Sequence, residues 1–267
     1  MNGVENKLPK VSVIMAVYNC SDTIHEAIQS ILEQTFSDWE LVLCDDCSTD
    51  STYSIIKEYE RKYPGKIKAL KNEKNSKLSY SLNHCLKYAR GEYIARMDGD
   101  DKSMPERLEK QVEFLESHKE YSVVGTWMTP FDSEKTYKDR CYKEIPDKLD
   151  LLVGPCFAHA TIMMRAEAYR KVNGYKVSKM TVRSQDYDMW FRFFAKGLRG
   201  YNLAKSYYLV REDEKAFTRR KFKVYWNEMK IRAVGFRLLK ISPKYYIYVL
   251  KPLGGYIKSL IFRKIRK

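Results

Sequence analysis

Acidic residues all but vanish from the last fifth of this sequence. Between Lys215 and Lys267 stand sixteen Lys and Arg and a single acid, Glu228, whereas residues 1–214 hold 33 bases and 33 acids. The whole formal charge of +15 therefore belongs to the tail of an otherwise neutral chain. Long apolar runs are missing too, and none approaches the roughly 20 residues a membrane-spanning helix needs. The opening ten residues are polar, and Val11–Val17 is too short for a secretory signal and has no cleavage-site pattern. The expectation is a cytoplasmic chain. The six cysteines (Cys20, Cys44, Cys47, Cys85, Cys141, Cys156) are spaced for neither a disulfide framework nor a zinc site. Cys44 and Cys47 do have C-x-x-C spacing. The first ends an apolar run and the second sits in an acidic turn, which argues against a redox or metal pair. G-x-G-x-x-G and G-x-x-x-x-G-K-[ST] are both absent, so dinucleotide-binding and P-loop classes lose their footing. There is no internal repeat and no low-complexity linker.

What is present is an alternation of strand and helix patterns over the first 126 residues. Val11–Val17 is a short β-branched run, as expected of a strand buried on both faces. Ser21-Asp22-Thr23 offers helix N-caps to a stripe formed by Ile24, Ala27, Ile28, Ile31 and Leu32. Strands are predicted at 40–44, 67–70, 93–97 and 121–126. Helices are predicted at about 51–62 (before Pro64-Gly65), along the Leu78–Ala89 stripe, and after Pro105. This order predicts an α/β fold with a mostly parallel central sheet and helices on both faces. From Trp127 to Pro155 the alternation fails and irregular structure is expected; Thr161–Met164 reads as a strand and Ser184–Lys196 as a helix.

In an open parallel sheet, ligands bind beyond the carboxyl ends of the strands. The first strand runs into Tyr18-Asn19, the second into Asp45-Asp46, and the fourth into Asp98-Gly99-Asp100-Asp101. Either acidic cluster alone could be a solvated turn. Together they place five carboxylates on one rim, and a hard divalent cation with oxygen ligands relieves their repulsion and neutralises a diphosphate. A nucleotidyltransferase would need a glycine-rich basic loop after the first strand, which Tyr18-Asn19-Cys20-Ser21 is not. A phospho-acceptor receiver domain built on Asp45-Asp46 would be about half this length.

These motifs, taken in order, resemble glycosyltransferase family 2. They are Val11-Ser-Val-Ile-Met-Ala-Val-Tyr-Asn19, Ile31-Leu-Glu-Gln-Thr-Phe36, Asp45-Asp-Cys-Ser-Thr-Asp50, Ala89-Arg-Gly-Glu-Tyr-Ile94, Met97-Asp-Gly-Asp-Asp101 and Pro105-Glu-Arg-Leu108. The match is dense over 9–117 and thinner to about 210. The resemblance implies a GT-A fold and an inverting transfer of sugar from a nucleotide diphosphate donor, UDP by preference, with Mn²⁺ or Mg²⁺ as cofactor. It implies that Ala16, Val17, Tyr18, Asn19 and Asp46 line the nucleoside pocket, with Asp45 as a second candidate there and Lys77 near the donor phosphates. Asp98 and Asp100 stand at the Asp-x-Asp pair. Asp100 is the first choice for direct metal contact and Asp101 the substitute. In Ser184-Gln-Asp-Tyr-Asp-Met-Trp190 the general base falls on Asp186, with Asp188 as rival, and His159 lies in the acceptor-side segment. Cys47 departs from the family's glycine, and a positive φ there would strain it. The processive signature Q-x-x-R-W is absent, which favours single-sugar transfer.

The expected organisation is a catalytic domain over 1–214, with a donor half at 9–117 and an acceptor half at 118–214, followed by a basic C-terminal helical extension at 215–267. That extension interleaves Lys and Arg with Tyr, Phe, Ile and Leu. The preferred reading is a peripheral attachment to the anionic inner face of the plasma membrane, where a glycan or lipid-linked acceptor would sit. A solvated helical extension packed on the body is the plainer one. No RNA-binding signature is present, so no nucleic acid is expected. The rival from another class is a catalytically inactive nucleotide-sugar or nucleic-acid binding module tethered by its tail.

Overall fold

The computed structural model describes residues 8–212 and 221–265, with side chains omitted at Lys258 and 261–265. The first half is the expected alternation. It comprises β1 (Val11–Val17), α1 (Ile24–Leu32), β2 (Trp39–Asp45), α2 (Thr52–Lys62), β3 (Ile67–Lys71), α3 (Leu78–Tyr88), β4 (Tyr93–Asp98), the two-residue β5 (Lys102–Ser103) and α4 (Arg107–Ser117). The second half holds β6 (Val123–Phe131), β7 (Met163–Arg165), α5 (Ala166–Lys171), α6 (Gln185–Ala195), β8 (Gly200–Arg211), α7 (Phe222–Leu238) and α8 (Lys251–Ile265). One eight-stranded sheet runs β3-β2-β1-β4-β7-β6-β8-β5. β1 pairs in parallel with β2 and β4, and β2 with β3; β7 is antiparallel to β4 and β6, and β6 is parallel to β8.

Burial explains the sequence pattern. β2 is buried along its whole length and β1 along all but Ala16, because helices cover both faces. Val11, Val13, Met15 and Val17 face the core built with α1, α2 and α4. Ile14 faces the other core, shared with α3, α5, α6 and α7. Two motifs act mainly on this scaffold. Gln34 is buried and donates to the Ser103 hydroxyl (3.1 Å) and the Met104 carbonyl (2.8 Å) while accepting from the Leu108 amide (3.0 Å), so it pins the chain just after the acidic loop. Arg90 clasps the buried Glu40 through Nε and a terminal nitrogen (2.9 and 2.6 Å). A Cβ on the next residue, Gly91, would meet the Ser12 backbone nitrogen at 2.5 Å.

Three expectations need correction. β6 does not stop at Thr126 but runs on to Phe131; register shifts around Trp127 break the two-residue period that would have revealed it. The strand expected at Thr161–Met164 is Met163–Arg165, since Thr161 closes a 3₁₀ turn. Helix α1 has no side-chain cap, and the Thr23 hydroxyl donates instead to the Gly99 carbonyl (3.0 Å), tying α1 to the acidic loop. β8 and α5 carry no expectation at all. Within the basic stretch, α7 packs on the body, as in the plainer of the two readings: it buries Tyr225, Met229, Ile231 and Phe236, and Gly235 lies against the Phe191 ring of α6. Among the described residues, no helix is long and apolar enough to cross a membrane.

Candidate functional site

Register alone brings the polar strand ends together. Val17 pairs with Asp45 across β1–β2, and Ala16 pairs with Cys44 on one side and Asp98 on the other. Beyond β1 the chain turns through Asn19 at φ +51°, a conformation asparagine tolerates. The Asn19 amide donates to the Ser48 hydroxyl (2.9 Å), and its side chain accepts from the Thr49 amide (2.9 Å), which stitches the first two loops together. Tyr18 stays exposed at the rim. Cys47 does adopt a positive φ, +62°, so the strain foreseen for it is present. All six cysteines are free.

Asp45 is fully buried. One of its oxygens accepts from the Ser48 amide (3.0 Å) and the other has no partner among the described residues. Asp46 uses both oxygens on the loop before α3: one accepts from the Asn72 side chain and the Ser76 amide (2.8 Å each), the other from the Lys77 amide (2.8 Å). Lys77 is thereby held at φ +72° in front of α3, and its side chain lines a cavity of about 580 Å³.

Asp98, Asp100 and Asp101 offer carboxylate oxygens within 4.8 Å of one another. They are not equivalent. Asp98 is paired two-point by the buried Arg96 guanidinium (2.6 and 2.5 Å). Asp101 is buried, accepting from the Tyr208 hydroxyl (2.9 Å) and the Arg211 amide (2.8 Å). Burial, and then the charges of Asp98 and Asp100, push its carboxyl up to about 8. Asp100 is exposed, and among the described residues no group hydrogen-bonds to its carboxylate. Hard oxygen donors, clustered and short of positive charge, fit a divalent cation, with Asp100 as the free ligand arm. The three residues that hold the cluster were missed in the sequence. Arg96 left a signal, a lone cation two places before Asp98 on the same face of an apolar strand. Tyr208 and Arg211 lay in β8, where no strand had been read.

Asp186 opens α6, partly buried, with one oxygen accepting from the Tyr187 amide (2.8 Å). Burial raises its carboxyl above the usual aspartate range, against that hydrogen bond and the positive field of Arg96. The same guanidinium therefore acts on Asp98 and on Asp186. Asp188 is committed elsewhere, paired to Nε of Arg192 (2.8 Å), while a terminal nitrogen of the same guanidinium donates to the Val172 and Gly174 carbonyls. His159 is buried against Trp190, with Nε2 on the Tyr175 hydroxyl (2.8 Å). Burial drives its pKa well below the ordinary value, so it is neutral at physiological pH.

The model of Glycosyl transferase family 2 matches residues 12–172. The chain belongs to glycosyltransferase family 2. EpsE of Bacillus subtilis is 50% identical over 248 residues, 93% of this chain and 89% of its own length. A UDP-Glc:α-D-GlcNAc-diphosphoundecaprenol β-1,3-glucosyltransferase of Escherichia coli, WfaP, is 29% identical over 75% of this chain and 77% of its own. Among solved structures, S. aureus TarS with UDP-GlcNAc superposes with a TM-score of 0.70 at 21% identity, over 94% of this chain and 81% of that one. The Pyrobaculum calidifontis mannosyltransferase PcManGT with GDP-Man and Mn²⁺ gives 0.68 at 18% identity, over 98% and 76%. These likenesses establish the GT-A fold of this glycosyltransferase.

Proposed function

We propose that this glycosyltransferase moves a sugar from a UDP-sugar to a hydroxyl of a lipid-linked or cell-surface glycan, with inversion at C1, in polysaccharide biosynthesis. The observation that carries the reading is the cluster of Asp98, Asp100 and Asp101 at the end of β4, their carboxylate oxygens within 4.8 Å of one another and Asp98 paired to Arg96. The donor and lipid-linked acceptor printed in the name of WfaP support it.

In this mechanism, Asp98 and Asp100 would hold a divalent cation at the diphosphate end of the donor, with Asp101 as the inner brace fixed by Tyr208 and Arg211. A bound Mn²⁺ or Mg²⁺ supplies charge neutralisation of the leaving diphosphate. Tyr18 and Asn19 border the nucleoside, Ala16 forms its floor with Val17 packed in the core behind it, and the Asp45–Asp46 turn closes its edge. Asp46 shapes the wall, since its oxygens are already engaged by the α3 loop. Asp186 takes the proton from the acceptor hydroxyl as that oxygen bonds to C1 and the C1–oxygen bond to the diphosphate breaks. His159, neutral and sealed by Tyr175 and Trp190, shapes the acceptor side.

A panel of UDP-, GDP- and dTDP-sugars, with Mn²⁺ and with EDTA, tests the donor. The expected result is slow, metal-dependent release of UDP from one donor. Binding without release in the presence of acceptor glycans would instead support the inactive binding module.

The extension is proposed to rest on an anionic membrane. Trp226 (48% exposed), Ile247 (68%) and Leu250 (52%) project beside Lys230, Arg237, Lys240 and Lys244, all exposed. Because α7 fills part of the core, deleting the extension would unfold the body, so charge reversal is the cleaner test. Changing those four cations to Glu should abolish co-sedimentation with phosphatidylglycerol vesicles; retained sedimentation would refute the attachment.

A further inference from the structure

The cavity beside Lys77 does not end there. It lies between the first turn of α3 and the segment before α6, lined by Lys77, Lys179 and Arg183 as cations and by Leu78, Val177 and Val182 as apolar wall. It reaches Gln185, the residue next to Asp186. A second cavity, about 400 Å³, shares Lys179, Val182 and Arg183 and continues to Lys221, Lys223 and Val224 at the start of α7. The two cavities thus adjoin at these three residues and are lined from Gln185, next to Asp186, to the start of α7, and no acidic residue lines either one. Among the described residues, none forms an ion pair with Lys179, Arg183, Lys221 or Lys223.

Two of the cations sit where a long side chain is unfavourable. Lys77 at φ +72° and Arg183 at φ +65° hold left-handed backbone that glycine adopts freely, at a cost of about 1–2 kcal/mol each. Both line the same cavity. Unpaired cations above an apolar floor match one kind of ligand: a phosphate or diphosphate joined to an apolar chain. The anion is met by Arg and Lys, and the chain lies along Val177, Val182 and Val224.

We propose that these adjoining cavities are the acceptor subsite for a phosphate- or diphosphate-bearing amphiphile. Lys179, Arg183, Lys221 and Lys223 grip its anionic group while the chain leaves toward the α7 face. The inference rests on the transferase reading, in which Asp186 marks where the acceptor hydroxyl must arrive.

The test fills the donor site first, with saturating UDP and Mn²⁺, and then titrates farnesyl diphosphate calorimetrically, with inorganic pyrophosphate and farnesol as controls. Farnesyl diphosphate is expected to bind at least 10-fold more tightly than either control. Lys179→Ala/Arg183→Ala should weaken it at least 10-fold without changing UDP affinity. Arg183→Gly keeps the experiment decisive should the double variant fold poorly. Glycine suits φ +65°, so this variant should melt no lower than the parent and still bind farnesyl diphosphate about 10-fold more weakly. Unchanged binding in Arg183→Gly, or pyrophosphate binding as tightly as farnesyl diphosphate, would overturn the proposal. Donor release measured on the same samples separates the two readings: loss of release with intact, Arg183-dependent farnesyl diphosphate binding sinks the transferase assignment and leaves the subsite standing.

Discussion

Asp186→Asn is expected to lower the turnover of sugar transfer by about 10²–10⁴-fold, the range general-base catalysis contributes, while metal-dependent UDP binding stays within about twofold. The amide keeps the shape of the side chain and its contact with the Tyr187 amide but cannot accept the proton. Burial raises the Asp186 carboxyl, so its protonated form persists to a higher pH than in an ordinary aspartate of pKa about 3.9. Turnover should therefore fall on the acid side with a midpoint above that value, and Asp186→Asn should erase that limb. Asp188→Asn separates the rivals. It leaves the Arg192 guanidinium without its buried partner, so it should cost stability, by about 3–5 kcal/mol if the pair behaves as a fully buried one. Its acid limb should survive. If Asp188→Asn erased the limb and Asp186→Asn kept it, the assignment of the base would be reversed.

Asp100→Ala should weaken metal-dependent donor turnover by about two orders of magnitude, the scale of losing one fixed contributor to charge stabilisation in the transition state. EDTA applied to the parent protein should reproduce the loss, and adding EDTA to the variant should change little further. The reason lies in the unequal commitments of the cluster. Asp98 is held by Arg96, and Asp101 by Tyr208 and the Arg211 amide, so their carboxylates are largely engaged in structure. Asp100 has no side-chain partner among the described residues, and the desolvation and Asp98 charge that raise its carboxyl are what a cation would offset. A variant that kept full Mn²⁺ stimulation would move the metal onto Asp101 or away from the cluster.

The linear sequence reached far into the donor half. β1, β2 and β4 are short and buried on both faces, so their apolar runs are continuous and their polar ends abrupt; the rim could be read from where hydrophobicity stops. Some motif residues brace the scaffold. Gln34 pins the chain after the acidic loop, Arg90 neutralises Glu40, and Asp46 shapes the turn that carries Lys77.

The second half of the chain was much less legible. β8 carries Tyr208 and Arg211 to the acidic loop over more than a hundred residues of separation, and register shifts in its partner β6 hide the period-two signal. Local spacing could not show that Asp188 is engaged by Arg192, because that pairing depends on a guanidinium that also bonds back to the Val172 and Gly174 carbonyls. The sequence by itself determined the parallel donor half and the positions of its carboxylates, since burial and strand ends are local properties of composition. Only the tertiary structure decided which carboxylate is free, which is paired, and that a basic helix also fills the core, because partner and burial are set by residues distant along the chain.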